Sequence, residues 1–170
     1  MPLSMYQASV PVFTHYLGAL SKIIDKAAAH AAARKIDPAV LTGMRLYPDM
    51  FPFAQQVRSA ADHSLRVAGA LSGVEPPKLG DTDTTFEQLK DRLAKTITYL
   101  KSLKPTQIDG TEDKAVTLTL GGKPREFKGQ ALLLDFSLPN FYFHTTTAYA
   151  ILRHAGVEVG KRDFMGMPPA

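Results

Sequence analysis

The sequence predicts an all-α protein: an up-down four-helix bundle with one small β-hairpin inserted before the last helix. Three observations predict it. Four long segments carry apolar residues alternately three and four positions apart, the stripe a bundle helix turns toward its neighbours. The connections between them are short and rich in Pro and Gly. Only one stretch alternates with period two, and it ends in Gly121-Gly122, a two-residue hairpin signal. With 170 residues, the chain is read as a single domain spanning 1–170.

In the first segment Tyr6, Val10, Phe13, Leu17, Leu20, Ile24, Ala27 and Ala31 form the stripe, while Lys22, Lys26 and Arg34 fall off it. Pro11 lacks an amide hydrogen, so the opening turns are expected to kink or to form a separate piece. Asp37-Pro38 ends the helix, because the residue before proline is pushed out of the α region. A linker, 39–52, contains Tyr47-Pro48-Asp49-Met50-Phe51-Pro52 and is apolar enough to pack over one end of the bundle. The second helix runs from Phe53 to Leu71 and stops at Gly73. Its stripe is Phe53, Val57, Ala60, Ser64, Val67 and Leu71, with small residues in the middle.

Thr84-Thr85-Phe86-Glu87 opens the third helix as a capping box of Thr84 and Glu87. Phe86, Leu89, Leu93, Ile97, Leu100 and Leu103 form its buried stripe, and Lys104-Pro105 closes it. Val116 to Leu120 and Pro124 to Phe127 are the arms of the hairpin, the second short and charged. From Gly129 a helix is expected to break near Pro139, and the last helix to run over 140–155 with Gly156 as its cap. The short tail ends in Pro168-Pro169.

Composition excludes several functions. No stretch approaches the roughly 20 uncharged apolar residues of a membrane span. The chain has no cysteine, which removes disulfides, thiol catalysis and cysteine-bound metals. The net charge of +4 is spread along the chain, and no basic stripe interleaves the aromatics, so neither nucleic acid nor membrane is expected as a partner. The opening residues Met1 to Tyr6 lack the basic and apolar regions of a secretory signal, and a cytoplasmic location is expected.

Among the five histidines, none lies in HExxH and none has a second four positions away. His144 and His154 are separated by roughly 15 Å along a helix axis and cannot share an ion. His15 and His30 read as solvated side chains. His144 is different: it shares a face with Ala148 and Ile151 beside Phe141-Tyr142-Phe143 and should be at least half buried. A buried imidazole needs partners for its nitrogens. It is therefore either a core histidine satisfied by a carbonyl or a facing carboxamide, or a metal ligand or general base. Gln56 and Asp62 on the second helix are the facing candidates, with Thr147 beside it. Gly156-Val157-Glu158-Val159-Gly160-Lys161 is not a phosphate loop: its glycines are one residue too close, and it follows a helix. Arg153, His154, Lys161 and Arg162 make a small basic cluster suited to a helix C-terminus.

Three blocks carry a resemblance: Tyr47 to Phe53 followed by Gln55-Gln56-Val57, then Pro139 to His154, then Gly160-Lys161-Arg162-Asp163-Phe164. They look like a bacterial domain-of-unknown-function family in the DinB/YfiT-like metalloenzyme superfamily. The resemblance implies a DinB-like four-helix bundle, often dimeric, in a bacterial cytoplasm. Active members of the superfamily hold a divalent metal with three histidines, one on the second helix and an HxxxH on the last. They act as thiol-dependent transferases, isomerases or hydrolases. His144 matches the first histidine of the HxxxH, Ala148 stands at the second, and Gln56 stands at the second-helix position. One ligand of three is kept.

Three readings follow. The first is a degenerate metal cleft around His144, Gln56, Asp62 and Tyr149 that takes a small molecule and holds no resident cofactor. The second is an enzyme of the thiol-transferase or hydrolase type using zinc or nickel, with His144 and Gln56 as ligands and Asp62 or water completing the shell. The third is a structural homodimer joined through the aromatic last helix. The sequence leaves open whether the chain is an enzyme.

Overall fold

The computed structural model describes residues 3–167. Met1 and Pro2 of the opening segment, and Pro168 and Pro169 of the tail, lie outside the described residues. Four helices of 17 residues or more dominate: α1 (Met5–Arg34), α3 (Phe53–Ser72), α4 (Phe86–Ser102) and α7 (Leu138–His154). Helix α1 packs on α4 and α7, and α3 packs on the same two, so their apolar stripes meet in one core. Phe13, Phe53, Phe141, Leu17 and Ile24 are fully enclosed there, and the Phe13 and Phe141 rings meet edge to face at 4.9 Å.

Each helix end has a local cause. Ser4 caps α1 by accepting from the Gln7 amide, and the helix ends at Lys35 in the left-handed region. Pro11 does not divide α1, which is continuous through it. The Pro11 ring displaces only the bond to the Gln7 carbonyl, and Gln7 lies on the exposed side, where water can substitute. The linker begins with a short helix, α2 (Pro38–Gly43), where no helical stripe announces one; Asp37 caps it with Pro38 in the first turn. The capping box of α4 is one residue later than expected. Thr85 and Gln88 form it, in place of Thr84 and Glu87.

After α4 come α5 (Pro105–Ile108) and the hairpin of β1 (Ala115–Leu120) and β2 (Lys123–Lys128), paired from Ala115↔Lys128 to Leu120↔Lys123. Gly121 and Gly122 have φ of 58° and 78°, as a two-residue turn with both centres left-handed requires.

The expected break at Pro139 does not occur. Helix α6 (Gly129–Ala131) runs into a π-helical segment, Leu132–Ser137, and on into α7 without interruption. Proline clashes with the carbonyl four residues back; widening the preceding turns to a five-residue repeat accommodates it. The Leu138 amide bonds the Leu133 carbonyl, and the Asn140 side chain donates to the Phe136 carbonyl at 2.7 Å. The tail folds into α8 (Lys161–Phe164), held on α1 by a Lys26–Asp163 ion pair at 2.7 Å and by Phe164 against Tyr16.

Gly129, where the hairpin enters α6, has no room for a side chain. A Cβ there would stand 2.1 Å from the Thr111 carbonyl oxygen. Gly129→Ala is expected to cost about 2 kcal/mol or more of unfolding free energy, read from urea denaturation. An unchanged midpoint would contradict the close approach.

Candidate functional site

His144 projects from α7 toward α3 and is 8% exposed. Its Nδ1 lies 2.7 Å from Gln56 Oε1. The Gln56 Nε2 donates to the Phe51 carbonyl at 3.1 Å. A carbonyl can only accept, so the Gln56 amide must turn its NH2 to Phe51 and its oxygen to the imidazole. The oxygen likewise only accepts, so His144 Nδ1 carries the hydrogen. The lone pair is therefore on Nε2, which has no hydrogen-bond partner among the described residues and is not an enclosed atom. Among the described residues the enclosed unpartnered side-chain atoms are His63 Nδ1 and Thr96 Oγ1.

Aromatic rings surround the imidazole. Phe51 lies parallel to it at 6.3 Å, Phe143 edge-on at 5.4 Å, and His63 of α3 stacks at 5.5 Å with 25° between planes. His63 in turn meets Phe136, which the π-helical segment presents at 5.7 Å. Burial lowers the His144 pKa. His63 is pushed down to about 4, by burial first and then by Arg66 and His144. In both rings burial disfavours the charged form.

The expected facing carboxamide is present in Gln56, but the other cleft residues are elsewhere. Asp62 is half exposed and pairs with Arg92 of α4 at 2.8 Å, away from His144. Burial raises its carboxyl despite the pull of Arg92, Arg66 and Arg58. Tyr149 packs edge to face on Phe164 of α8 at 5.9 Å, toward the tail. Five residues from His144, it sits well round the helix, about 140° away. His15 is not simply solvated: its Nε2 donates to the Met165 carbonyl at 2.8 Å. His63 was the residue the sequence concealed. Its only signal was its position seven residues, two turns, after Gln56 on the same helix.

A three-histidine metal centre does not fit these side chains. Ala148, fully buried, fills the companion position with a methyl group. Gln56, placed by the resemblance as a ligand, is engaged with His144 itself. His63 supplies a second imidazole, yet a metal sits in the plane of each ring along its lone pair, and near-parallel stacked rings do not aim at one point. Among the described residues no group of three His, Cys, Asp or Glu side chains is arranged to hold a metal.

Residues 5–165 match the family described as "Domain of unknown function (DUF1993)". The chain belongs to that family. A crystal structure of a DinB family member from Shewanella denitrificans is 36% identical to this DUF1993 chain. The match covers 97% of this chain and 93% of that one, with a TM-score of 0.85. This chain thus takes a DinB-like, mainly helical fold, as the sequence blocks implied. No curated protein matches the chain. No described helix is long and apolar enough to cross a membrane.

Proposed function

We propose that this protein is one DinB-like domain of a bacterial cytoplasm in which the ancestral metal centre has become a metal-free imidazole site for a small molecule. The observation that carries the reading is the chain of bonds from the Phe51 carbonyl through Gln56 to His144. It orients the ring as a hydrogen bond to the far nitrogen of a metal-bound histidine does, but leaves Nε2 bonded to neither a nitrogen nor a carboxylate. A neutral imidazole held this way accepts a proton or a hydrogen bond from a bound molecule.

Elemental analysis after exposure to zinc and nickel tests it. Fewer than about a tenth of an ion per chain is expected, since one imidazole and one occupied amide are a poor set for either metal. Stoichiometric zinc lost on His144→Ala would overturn the reading. It would favour the metal-dependent thiol transferase or hydrolase, with His63 as the added ligand. A structural homodimer is the second reading, favoured by the exposure of Leu46, Tyr47, Phe51 and Phe143 at 42–65% on the linker and α7.

A further inference from the structure

A strand at the edge of a sheet offers a row of unpaired N–H and C=O groups, and the two-stranded hairpin has two such edges. The register fixes which residues line them. With Leu120 and Lys123 closing the two-residue turn, the bonded pairs are Leu120–Lys123, Leu118–Arg125 and Val116–Phe127. The backbone groups of Ala115, Thr117 and Thr119 therefore point outward from β1, and those of Pro124, Glu126 and Lys128 outward from β2. Among the described residues no backbone or side-chain group elsewhere bonds the outward row of β1. The two edges are built differently. Strand β2 presents Pro124, which has no N–H to offer, beside the charges of Lys123, Arg125, Glu126 and Lys128, the usual means by which an edge refuses a neighbour. Strand β1 has neither proline nor charge. Its Ala115, Thr117 and Thr119 are exposed on one face, while Val116 is buried and Leu118 and Leu120 are half-buried on the other.

We propose that the β1 edge is a self-association surface, pairing with β1 of a second copy of this chain to make a four-stranded antiparallel sheet. The missing charge selects the occupant. An uncharged edge lies against a copy of itself without setting like charges opposite one another, which β2 cannot do. About a two-fold axis through Thr117, the strand meets its copy with Thr117 opposite Thr117 and Ala115 opposite Thr119. Each opposed pair exchanges two bonds, so every outward group of the row is used. On the other face Val116 of each copy lies opposite Leu118 of the other, covering a leucine that the monomer leaves half-exposed. The assembly closes at two chains, because each copy has spent its one open edge and Pro124 guards the other. This surface shares no residue with the Leu46, Tyr47, Phe51 and Phe143 face.

Sedimentation equilibrium of the full chain, with residue-resolved amide hydrogen exchange, tests it. One short edge is a small interface, so a dimer with a dissociation constant of about 10–100 μM is expected. In concentrated protein the Ala115, Thr117 and Thr119 amides should be protected alongside those of Val116, Leu118 and Leu120. Thr117→Pro removes the central outward N–H, spares the bonds to β2, and should abolish association. Thr117→Lys sets two ammonium groups face to face and should raise the dissociation constant about tenfold or more. If proline unfolds the hairpin, seen as lost protection at Leu118 and Leu120, the lysine variant carries the test. A chain still monomeric at about 1 mM would overturn the proposal. So would a dimer that survives both substitutions, or one whose Thr117 and Thr119 amides exchange freely; either result would move the interface to another face. Protection of those amides in a chain that stays monomeric would mean that the edge is covered from within, and would equally overturn it.

Discussion

Replacing Arg92 by alanine is expected to lower the unfolding free energy by about 2–5 kcal/mol, the range for emptying the space of a large, fully buried side chain. The guanidinium is 2% exposed. Its Nη1 donates to Asp62 at 2.8 Å, its Nε to Asp83 at 2.6 Å, and its Nη2 to the Gly80 carbonyl. One side chain thereby joins α3, α4 and the segment between them. Alanine removes the bonds to two carboxylates and leaves the space of a long side chain empty. Asp62→Asn should cost far less, because Asp62 is half exposed and water replaces its partner. Arg92→Lys should restore little: an ammonium is a point charge and cannot span three acceptors in the planar fork. Urea denaturation of the three variants gives the ranking. A loss below about 1 kcal/mol for Arg92→Ala would show that Arg92 is not the clamp described.

Acid is expected to weaken the protein through His63. Its pKa is 6.5 in an ordinary setting and about 4 in the fold, so between those values the unfolded chain takes up a proton that the folded chain refuses. Stability is then complete above pH 6.5 and declines as the pH falls toward 4, reaching a deficit of about 2–3 kcal/mol once allowance is made for water at the ring. His144, also lowered by burial, adds in the same direction. Denaturation midpoints of the wild type and His63→Leu across this range isolate the effect. The leucine variant should fall less steeply on acidification. Parallel curves would mean that His63 titrates normally in the folded state.

The site was partly legible in advance. His144 shares a face with Ala148 and Ile151, which places it indoors, and a buried imidazole facing a helix that carries Gln56 calls for the bond observed at 2.7 Å. The rest depended on how two helices are rotated against each other. Asp62 and His63 are neighbours in sequence but point about 100° apart on α3. The packing turned His63 to the imidazole and Asp62 to Arg92, a choice no spacing within α3 expresses. Tyr149 was misplaced for the same reason, its partner being Phe164 in a tail helix that four residues could not announce.

By itself the sequence determined the helix stripes, the hairpin with its Gly121-Gly122 turn, and the stop at Gly73, because each is set by contacts within a few residues. The family blocks that it carries also pointed to the DinB-like fold. Tertiary structure alone decided that the chain passes Pro139 as a continuous helix, since the cost of the lost bond depends on whether a π turn and Asn140 can take up the freed carbonyls. It alone also decided which side chains surround His144. Local periodicity states which face of a helix is buried; the rotation and offset of facing helices, fixed only when the whole core packs, state against what.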